Sequence, residues 1–399
     1  MNKTLVLAAA ALAASLSAQD PSAPAPTPAP TNWKDLTRYG LPIKFYGFFR
    51  FDTYYNTARM DNVVIPSRVQ SETKRNDDQF HMDPRLTRFG FDVKPEPVGG
   101  CQLWGKLEID FANFPTATTP AESRATPRIR LAFLDIAQDE FGLRVGQDWD
   151  VISPLYPAVN NELLMWNAGN LGDRRAQIQG RYAPKDGKFD LKAALGLTGA
   201  VNNQDLDTPA GERDGFDSGM PHLQVRAGTK PFAMVEKKPV ELGVWGLFGR
   251  IETDTSFNGE TRFDEWALGL DLQFPLCDTL TLRGEVWTGE NLGDVRGGIG
   301  QTINITTGRE IGSTGGWGEL VYAYSPKTKF HVGGTMDDPD NSDLAATNPK
   351  RNLSGYAGTN MKWESGLMTG LDAIFWQTEY VGALDGNGIR FDLWFQFDF

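Results

Sequence analysis

The last eleven residues of the chain alternate strictly between apolar and polar side chains. The apolar positions are Ile389, Phe391, Leu393, Phe395, Phe397 and Phe399. A period of two residues places all six on one face of a β-strand. A strand that crosses a bilayer needs roughly 9–11 residues, so the length fits as well. Soluble sandwiches also alternate, but they rarely place three charged residues opposite such an aromatic row. The pattern therefore favours a membrane β-strand.

The same alternation recurs along the chain, for example over residues 103–111, 189–197 and 266–274. Counting such segments predicts about sixteen strands. They are expected to start near Ile43, Arg85, Gln102, Arg128, Gly142, Arg174, Phe189, Pro221, Val240, Phe263, Thr279, Trp317, Phe330, Asn352, Gly370 and Gly388. The weakest patterns are those of residues 240–251 and 330–336.

The predicted connections alternate in length. Short links are expected at residues 94–100, 138–141, 184–188, 275–278 and 326–329. Long polar links are expected at residues 56–84, 113–127, 148–173, 199–220, 289–316 and 337–350. Short turns at one rim and long loops at the other are typical of a transmembrane antiparallel barrel, with the turns in the periplasm and the loops outside the cell. A sandwich gives no reason for this regularity.

Composition excludes several other classes of protein. The chain of 399 residues lacks the apolar runs of about 20 residues that membrane helices need. Its net charge of −12 argues against a nucleic-acid partner, because phosphate would be repelled. The mean hydropathy of −0.38 does not argue against a barrel, since every second strand residue faces water.

Residues 1–18 have a basic start, an apolar run and small residues, and are interpreted as a signal peptide for export. Residues 19–40 are rich in proline and are predicted to be a periplasmic tether, and residues 41–399 to be the barrel. Cys101 and Cys277 are expected at opposite sides of the short-turn rim, too far apart for a disulfide. No CxxC motif or His/Cys cluster is present, so no metal site and no cofactor are expected.

The C-terminal row Trp394–Phe399, the alternation of connection lengths and the long loop after the fifth strand resemble Gram-negative outer-membrane porins of the sixteen-stranded trimeric type. Residues 127–135 and 143–147 are similar to the corresponding stretches of DcaP-like porins. The resemblance implies a homotrimer in outer-membrane lipid and lipopolysaccharide, reached through Sec export. It also implies that the loop after strand 5 folds inward and narrows a pore for small hydrophilic solutes.

Within that barrel, the polar positions of the early strands face the lumen and carry many arginines. The expected basic wall of the constriction is Arg50, Arg88, Arg128, Arg130 and Arg144. The expected acidic loop opposite is Asp148, Asp150, Glu162 and Asp173. Together they would set up a transverse field that orients and selects polar solutes. The basic wall and the resemblance to DcaP-like porins predict a preference for anions such as small carboxylates. Alternatively, the arginines only pair with inward carboxylates on neighbouring strands. The alternative hypotheses for the function are a sugar-selective pore and a non-conducting structural or adhesive barrel.

Aromatic side chains are predicted on both faces. Tyr46, Trp104, Trp287 and Trp394 fall in the inward register, where they would pack in the lumen or stack on sugars. Trp266, Tyr322, Tyr324 and Phe399 fall outward near strand ends, as an interfacial girdle would.

No catalytic site is expected. The chain has three histidines, of which His81 is expected in a long loop, and none has an evident serine partner. The acidic stretch 337–343 is expected to be a surface loop that bridges lipopolysaccharide cations, with a specific calcium site as the alternative.

Overall fold

The structure is a computed structural model that describes residues 35–38, 41–74, 76–113, 125–161, 164–199, 218–236 and 238–399. The predicted signal peptide and most of the predicted tether lie outside these ranges. Residues 35–38, which the sequence assigned to the tether, form a short strand that pairs antiparallel with residues 41–44. No helix in the described part of the chain is long and apolar enough to span a bilayer.

Sixteen antiparallel strands follow one another around the molecule. They are β1 (Leu41–Asn56), β2 (Gln79–Asp83 and Arg88–Val93), β3 (Gln102–Asn113), β4 (Thr126–Gln138), β5 (Phe141–Trp149), β6 (Arg174–Tyr182), β7 (Phe189–Gly196), β8 (His222–Thr229), β9 (Glu241–Phe257), β10 (Glu260–Pro275), β11 (Leu280–Glu290), β12 (Gly312–Ala323), β13 (Thr328–Pro339), β14 (Pro349–Lys362), β15 (Leu367–Tyr380) and β16 (Gly386–Asp398).

Each strand pairs with the next, and β16 pairs with β1, so the sheet closes into a barrel. β2 is interrupted at residues 84–87, and its two segments pair with the two ends of β1. Closure leaves no open sheet edge, which is the condition for a β-sheet in lipid. The predicted strand count is confirmed, and strands are present over both weakly patterned segments. β10 and β12 begin earlier than predicted, because backbone pairing continues past the apolar pattern, as between Gly312 and Glu290.

The two faces of the barrel separate by side-chain type. On β16, Phe391 and Leu393 are 43% and 42% exposed on the outer face, whereas Asp392 and Trp394 are buried inside. Phe399 lies outward against a cluster of phenylalanines on β1 and β2. An apolar outer face suits hydrocarbon, and a polar inner face suits a water-filled lumen.

The connections follow the predicted alternation with two exceptions. The turn Asn258–Gly259 and the loop at residues 381–385 lie at the long-loop rim but are short. At the other rim, residues 230–240 contain a small hairpin of Ala233–Val235 and Lys238–Pro239.

Three predictions about single residues have a structural outcome. His81 was expected in a loop, but it lies in the first segment of β2, because that segment pairs with the end of β1. Asp337 was expected in an acidic surface loop, but it is fully buried at the end of β13, where Ser313 and the amide of Ile299 donate hydrogen bonds to it. Cys101 and Cys277 are both free thiols, the first buried and the second exposed.

Candidate functional site: an arginine-lined constriction

The segment between β5 and β6, residues 150–173, is here called the inward loop. It contacts lumen side chains of strands on the far side of the barrel. The amide of Leu155 donates to Glu285 Oε1 on β11 at 2.8 Å, and the amide of Ala158 donates to Glu319 Oε2 on β12 at 2.9 Å. Buried carboxylates accept such backbone donors in strong, charge-assisted hydrogen bonds. The loop is therefore anchored to the wall opposite its own root.

Further along, a side chain of β11 binds the backbone of the inward loop, and a side chain of the loop binds side chains of β1. The indole nitrogen of Trp287 donates to the carbonyl of Gly169 at 2.7 Å. The side-chain amide of Asn160 donates a hydrogen bond to Asp52 at 3.0 Å, and its side-chain oxygen accepts one from Arg50 at 2.7 Å. Burial and the nearby carboxylate of Glu285 raise the pKa of Tyr156 in this loop, so its phenol stays protonated.

Where the inward loop approaches β1, β2, β4 and β6, it encloses a cavity of about 150 Å³, here called the arginine cavity. Four arginines line it: Arg50, Arg88, Arg130 and Arg174. The loop contributes neutral side chains, which are Asn160, Asn161, Leu164 and Trp166. The strands add Phe48 and Trp149.

Carboxylates on the same strands hold most of these arginines in place. Arg130 lies 3.0 Å from Glu108 and 2.8 Å from Asp110, and Arg128 lies 2.7 Å from the same Asp110. A β-bulge where β3 pairs with β4 at residues 108–109 shifts the register at this point. Arg50 pairs with the fully buried Asp52 at 2.8 Å.

Arg88 and Arg174 complete the set. Arg88 lies 3.5 Å from Glu108. Arg174 has no ion pair among the residues that the structure describes; its guanidinium lies 4.8 Å from the ring centroid of Trp149, and its Nη1 is buried without a hydrogen-bond partner. Within the described residues, the wall thus holds five guanidinium groups, counting Arg128, and the carboxylates of Asp52, Glu108 and Asp110.

A second cavity of about 260 Å³ lies at the root of the inward loop. Arg144, Arg181 and Lys192 line it together with Asp148 and Asp150. Arg144 pairs with Asp148, and both Arg144 and Arg181 pair with Asp135. Basic and acidic groups of the predicted constriction therefore meet in this cavity.

The residues predicted from sequence fall into separate places. Arg50, Arg88 and Arg130 line the arginine cavity, Arg128 is held beside it by Asp110, and Arg144 lines the second cavity. Three of the four predicted acidic residues lie elsewhere: Asp148 and Asp150 lie at the second cavity, and Asp173 pairs with Arg296 at 2.8 Å. Glu162 lies outside the described residues.

Sequence reasoning missed Arg174, Arg181 and Lys192. Arg181 and Lys192 lie on β6 and β7, beyond the strands searched for basic residues. Alternation cannot identify Arg174, because Arg175 next to it also points inward, toward Asp150. The available signal was the Arg-Arg pair at the point where a long loop rejoins a strand.

The inward aromatic residues are packed rather than open. Trp287 bonds to the inward loop, Trp394 lies 3.4 Å from Asp372, and Trp104 donates to Asp92 at 2.8 Å. Tyr46 donates to Glu108 at 2.9 Å. Their faces are engaged in structure, which favours lumen packing over a sugar-stacking path.

Three solved structures have a similar fold. The outer membrane channel DcaP of Acinetobacter baumannii is 16% identical, with a TM-score of 0.74 over 91% of this chain and 99% of that chain. The anion-selective porin from Comamonas acidovorans is 11% identical, with a TM-score of 0.58 over 90% and 99%. The trimer form of OmpT, an outer membrane protein of Vibrio cholerae, is 13% identical, with a TM-score of 0.56 over 90% and 99%.

No family model and no curated protein sequence matches this chain. The likeness to the solved structures extends over nearly the whole barrel, and the strand count and inward loop are independent observations on this molecule. The chain therefore has the fold of the sixteen-stranded outer-membrane porins.

Proposed function

We propose that this protein is an outer-membrane porin for passive diffusion of small hydrophilic solutes, with a preference for anions such as small carboxylates. The observation that carries the proposal is the arginine cavity, where four guanidinium groups converge between the barrel wall and the inward loop. A solute that passes the loop on this side must pass these groups at short range.

The charge balance supports an anion preference. Among the residues that the structure describes, five arginines of this wall lie with three carboxylates, and Arg174 pairs with none of them, which supports a positive local charge. The described side chains of the loop that line the cavity are neutral. In a narrow aqueous passage with low-dielectric walls, such a local field is focused rather than averaged with the distant acidic loops.

The chemistry of the groups favours carboxylates among anions. A guanidinium presents a planar fork of donors that matches a carboxylate in two parallel hydrogen bonds. The Nη1 of Arg174 is a buried donor without a partner, so this guanidinium is not committed to an internal carboxylate.

The outer surface supports the location. Large apolar side chains, such as Phe391 and Leu393, are exposed on the outside of the barrel, and contact of this apolar surface with water would be unfavourable. Tyr322 and Tyr324 are 43% and 67% exposed at the short-turn end of β12, where interfacial girdles lie. We infer an outer-membrane location, export through residues 1–18, contact with lipopolysaccharide at the long-loop rim, and assembly as a homotrimer. We assign no catalytic role.

Planar bilayer recording tests the proposal. Purified protein is expected to insert as stable conductance steps in groups of three, and its reversal potential in a KCl gradient is expected to have the sign of chloride preference. Dicarboxylates added to one side should reduce the chloride current by competing for the arginines. Cation preference would overturn the selectivity, and absence of conductance would favour a structural or adhesive barrel.

A further inference from the structure

A buried polar cluster lies apart from both cavities, near the long-loop rim. His222 is the first residue of β8, Glu265 lies on β10, and Asp294 lies in the 3₁₀ turn Leu292–Val295 of the loop between β11 and β12. One nitrogen or oxygen of each lies within 4.8 Å of the others, and His222 Nδ1 is 3.8 Å from Asp294 Oδ2. All three side chains are buried.

Several polar atoms of this cluster have no partner. Both ring nitrogens of His222 and both carboxylate oxygens of Glu265 are buried without a hydrogen bond within the described part of the chain. The two side chains are wholly inaccessible to solvent. Buried polar atoms are nearly always satisfied, and buried charges are paired or coordinate metals. Unsatisfied atoms on two buried side chains that lie together with Asp294 therefore indicate a missing ligand.

The charges of the cluster are unbalanced. Arg175 lies 2.7 Å from Asp150 and 2.6 Å from Asp294, and it is the guanidinium paired with this group. Glu265 has no ion pair among the residues described here. Within the described part of the chain, the buried carboxylate of Glu265 thus lies beside Asp294 with no cation paired to it, and a bound cation would compensate its charge.

The backbone of β9 packs closely against the unpaired atoms. Gly249 on β9 faces the cluster, and a Cβ atom at this position would lie 3.0 Å from Glu265 Oε2 and 3.3 Å from His222 Cδ2. The same point is 3.1 Å from a methyl group of Thr198, whose hydroxyl is also buried without a partner. Glycine at this position thus lets the unpaired groups lie close to the backbone of β9, and a larger residue would press on them.

We propose that His222, Glu265 and Asp294 bind one divalent transition metal ion of the zinc type. An imidazole nitrogen with two carboxylates suits zinc, whereas calcium and magnesium take oxygen ligands. Arg175 orients Asp294 through its hydrogen bond, as residues behind metal ligands commonly do. The metal ties the loop that carries Asp294 to strands β8 and β10.

No sequence motif predicts this site, because its residues are 43 and 29 positions apart along the chain, from 222 to 265 and from 265 to 294. Barrel closure and the return of the loop into the lumen bring them together.

Metal titration of the full chain in detergent tests the proposal. Protein treated with EDTA and then dialysed is titrated with ZnCl₂, and we expect saturable binding of one zinc per chain that MgCl₂ does not displace. Glu265→Gln and His222→Asn should each weaken binding by about 100-fold or more. The matched control is His331→Asn, since that buried histidine pairs with Asp372 elsewhere in the barrel and its loss should leave zinc binding unchanged.

Two further measurements keep the result decisive if a ligand variant folds poorly. Gly249→Ala retains every ligand but presses a methyl group against Glu265 and His222, so it should weaken zinc binding in a barrel that still shows heat-modifiable electrophoretic mobility. Cobalt added to the wild type should give visible absorption bands from nitrogen and oxygen coordination. Absence of saturable zinc uptake by the wild type, or equal uptake by Glu265→Gln, would overturn the site and would show that a proton neutralises Glu265 instead.

Discussion

Replacing Arg174 with glutamine is the cleanest test of the arginine cavity. The other arginines of this wall hold buried carboxylates, and their removal would leave a charge unpaired at a cost of about 3–5 kcal/mol. Arg174 has no ion pair within the described residues, and its guanidinium rests on Trp149. Arg174→Gln therefore removes one positive charge from the cavity while leaving the barrel able to fold.

The magnitude follows from Coulomb's law. A small anion in the cavity lies about 5 Å from the guanidinium, which gives roughly 1–3 kcal/mol for an effective dielectric constant between about 80 and 20. Taking the lower end of that range, the ratio of anion to cation permeability should fall about 5-fold at ~0.1 M salt. At ~1 M salt the Debye length is about 3 Å, so the same substitution should change the ratio less than about 2-fold.

Reversal potentials in KCl gradients at both salt concentrations measure the effect. Arg262→Ala is the matched control, because Arg262 also carries one positive charge but is 65% exposed in its side chain and pairs with Glu252 away from the cavity. We expect the control to keep the wild-type ratio. An unchanged ratio in Arg174→Gln at low salt, with a folded barrel, would refute the argument that this wall selects anions.

Three other predictions concern the loop and the short-turn rim. Gly169→Ala should lower the free energy of unfolding by about 2–4 kcal/mol, since a Cβ would lie 2.5 Å from a carbonyl oxygen of β12 at a φ of +119°. Gly172→Ala should lower the free energy of unfolding by only about 1 kcal/mol, since its φ is +112° but no atom would lie nearer than 3.8 Å to the new Cβ. Equal losses of stability for the two variants in urea titrations would contradict this. Glu285→Ala removes a wall carboxylate that anchors the inward loop, so single-channel conductance and current noise should rise, and unaltered traces would count against the anchor. The exposed Cys277 should be alkylated at a rate that rises with pH. The rate should reach half its maximum at a pH below the ordinary pKa of a cysteine thiol, because hydrogen bonds from the backbone and from the hydroxyl of Thr279 lower the pKa of Cys277. The buried Cys101 serves as the slowly alkylated control. Half-maximal alkylation of Cys277 at a pH equal to or above the ordinary cysteine pKa would contradict the expectation.

Local pattern was sufficient for the barrel itself. The alternation over residues 389–399 predicts both the strand β16 and which of its faces meets lipid, because side chains on a strand point to opposite sides regardless of what surrounds it. The same rule placed Arg50, Arg88, Arg128 and Arg130 inward, and connection lengths assigned the two rims. The alternation rule failed where the chain departs from a regular strand, as at Arg174 and at the interruption of β2.

Only the tertiary structure decided which inward groups act together. Periodicity specifies the face of each side chain, but the distance between two side chains on different strands depends on register, closure and the path of the loops. The bulge on β3 and β4 brings Arg128 and Arg130 to one carboxylate, and the inward loop turns one part of a basic wall into a cavity. The meeting of His222, Glu265 and Asp294 has the same origin, since each lies on a different element that the closed barrel brings to one point.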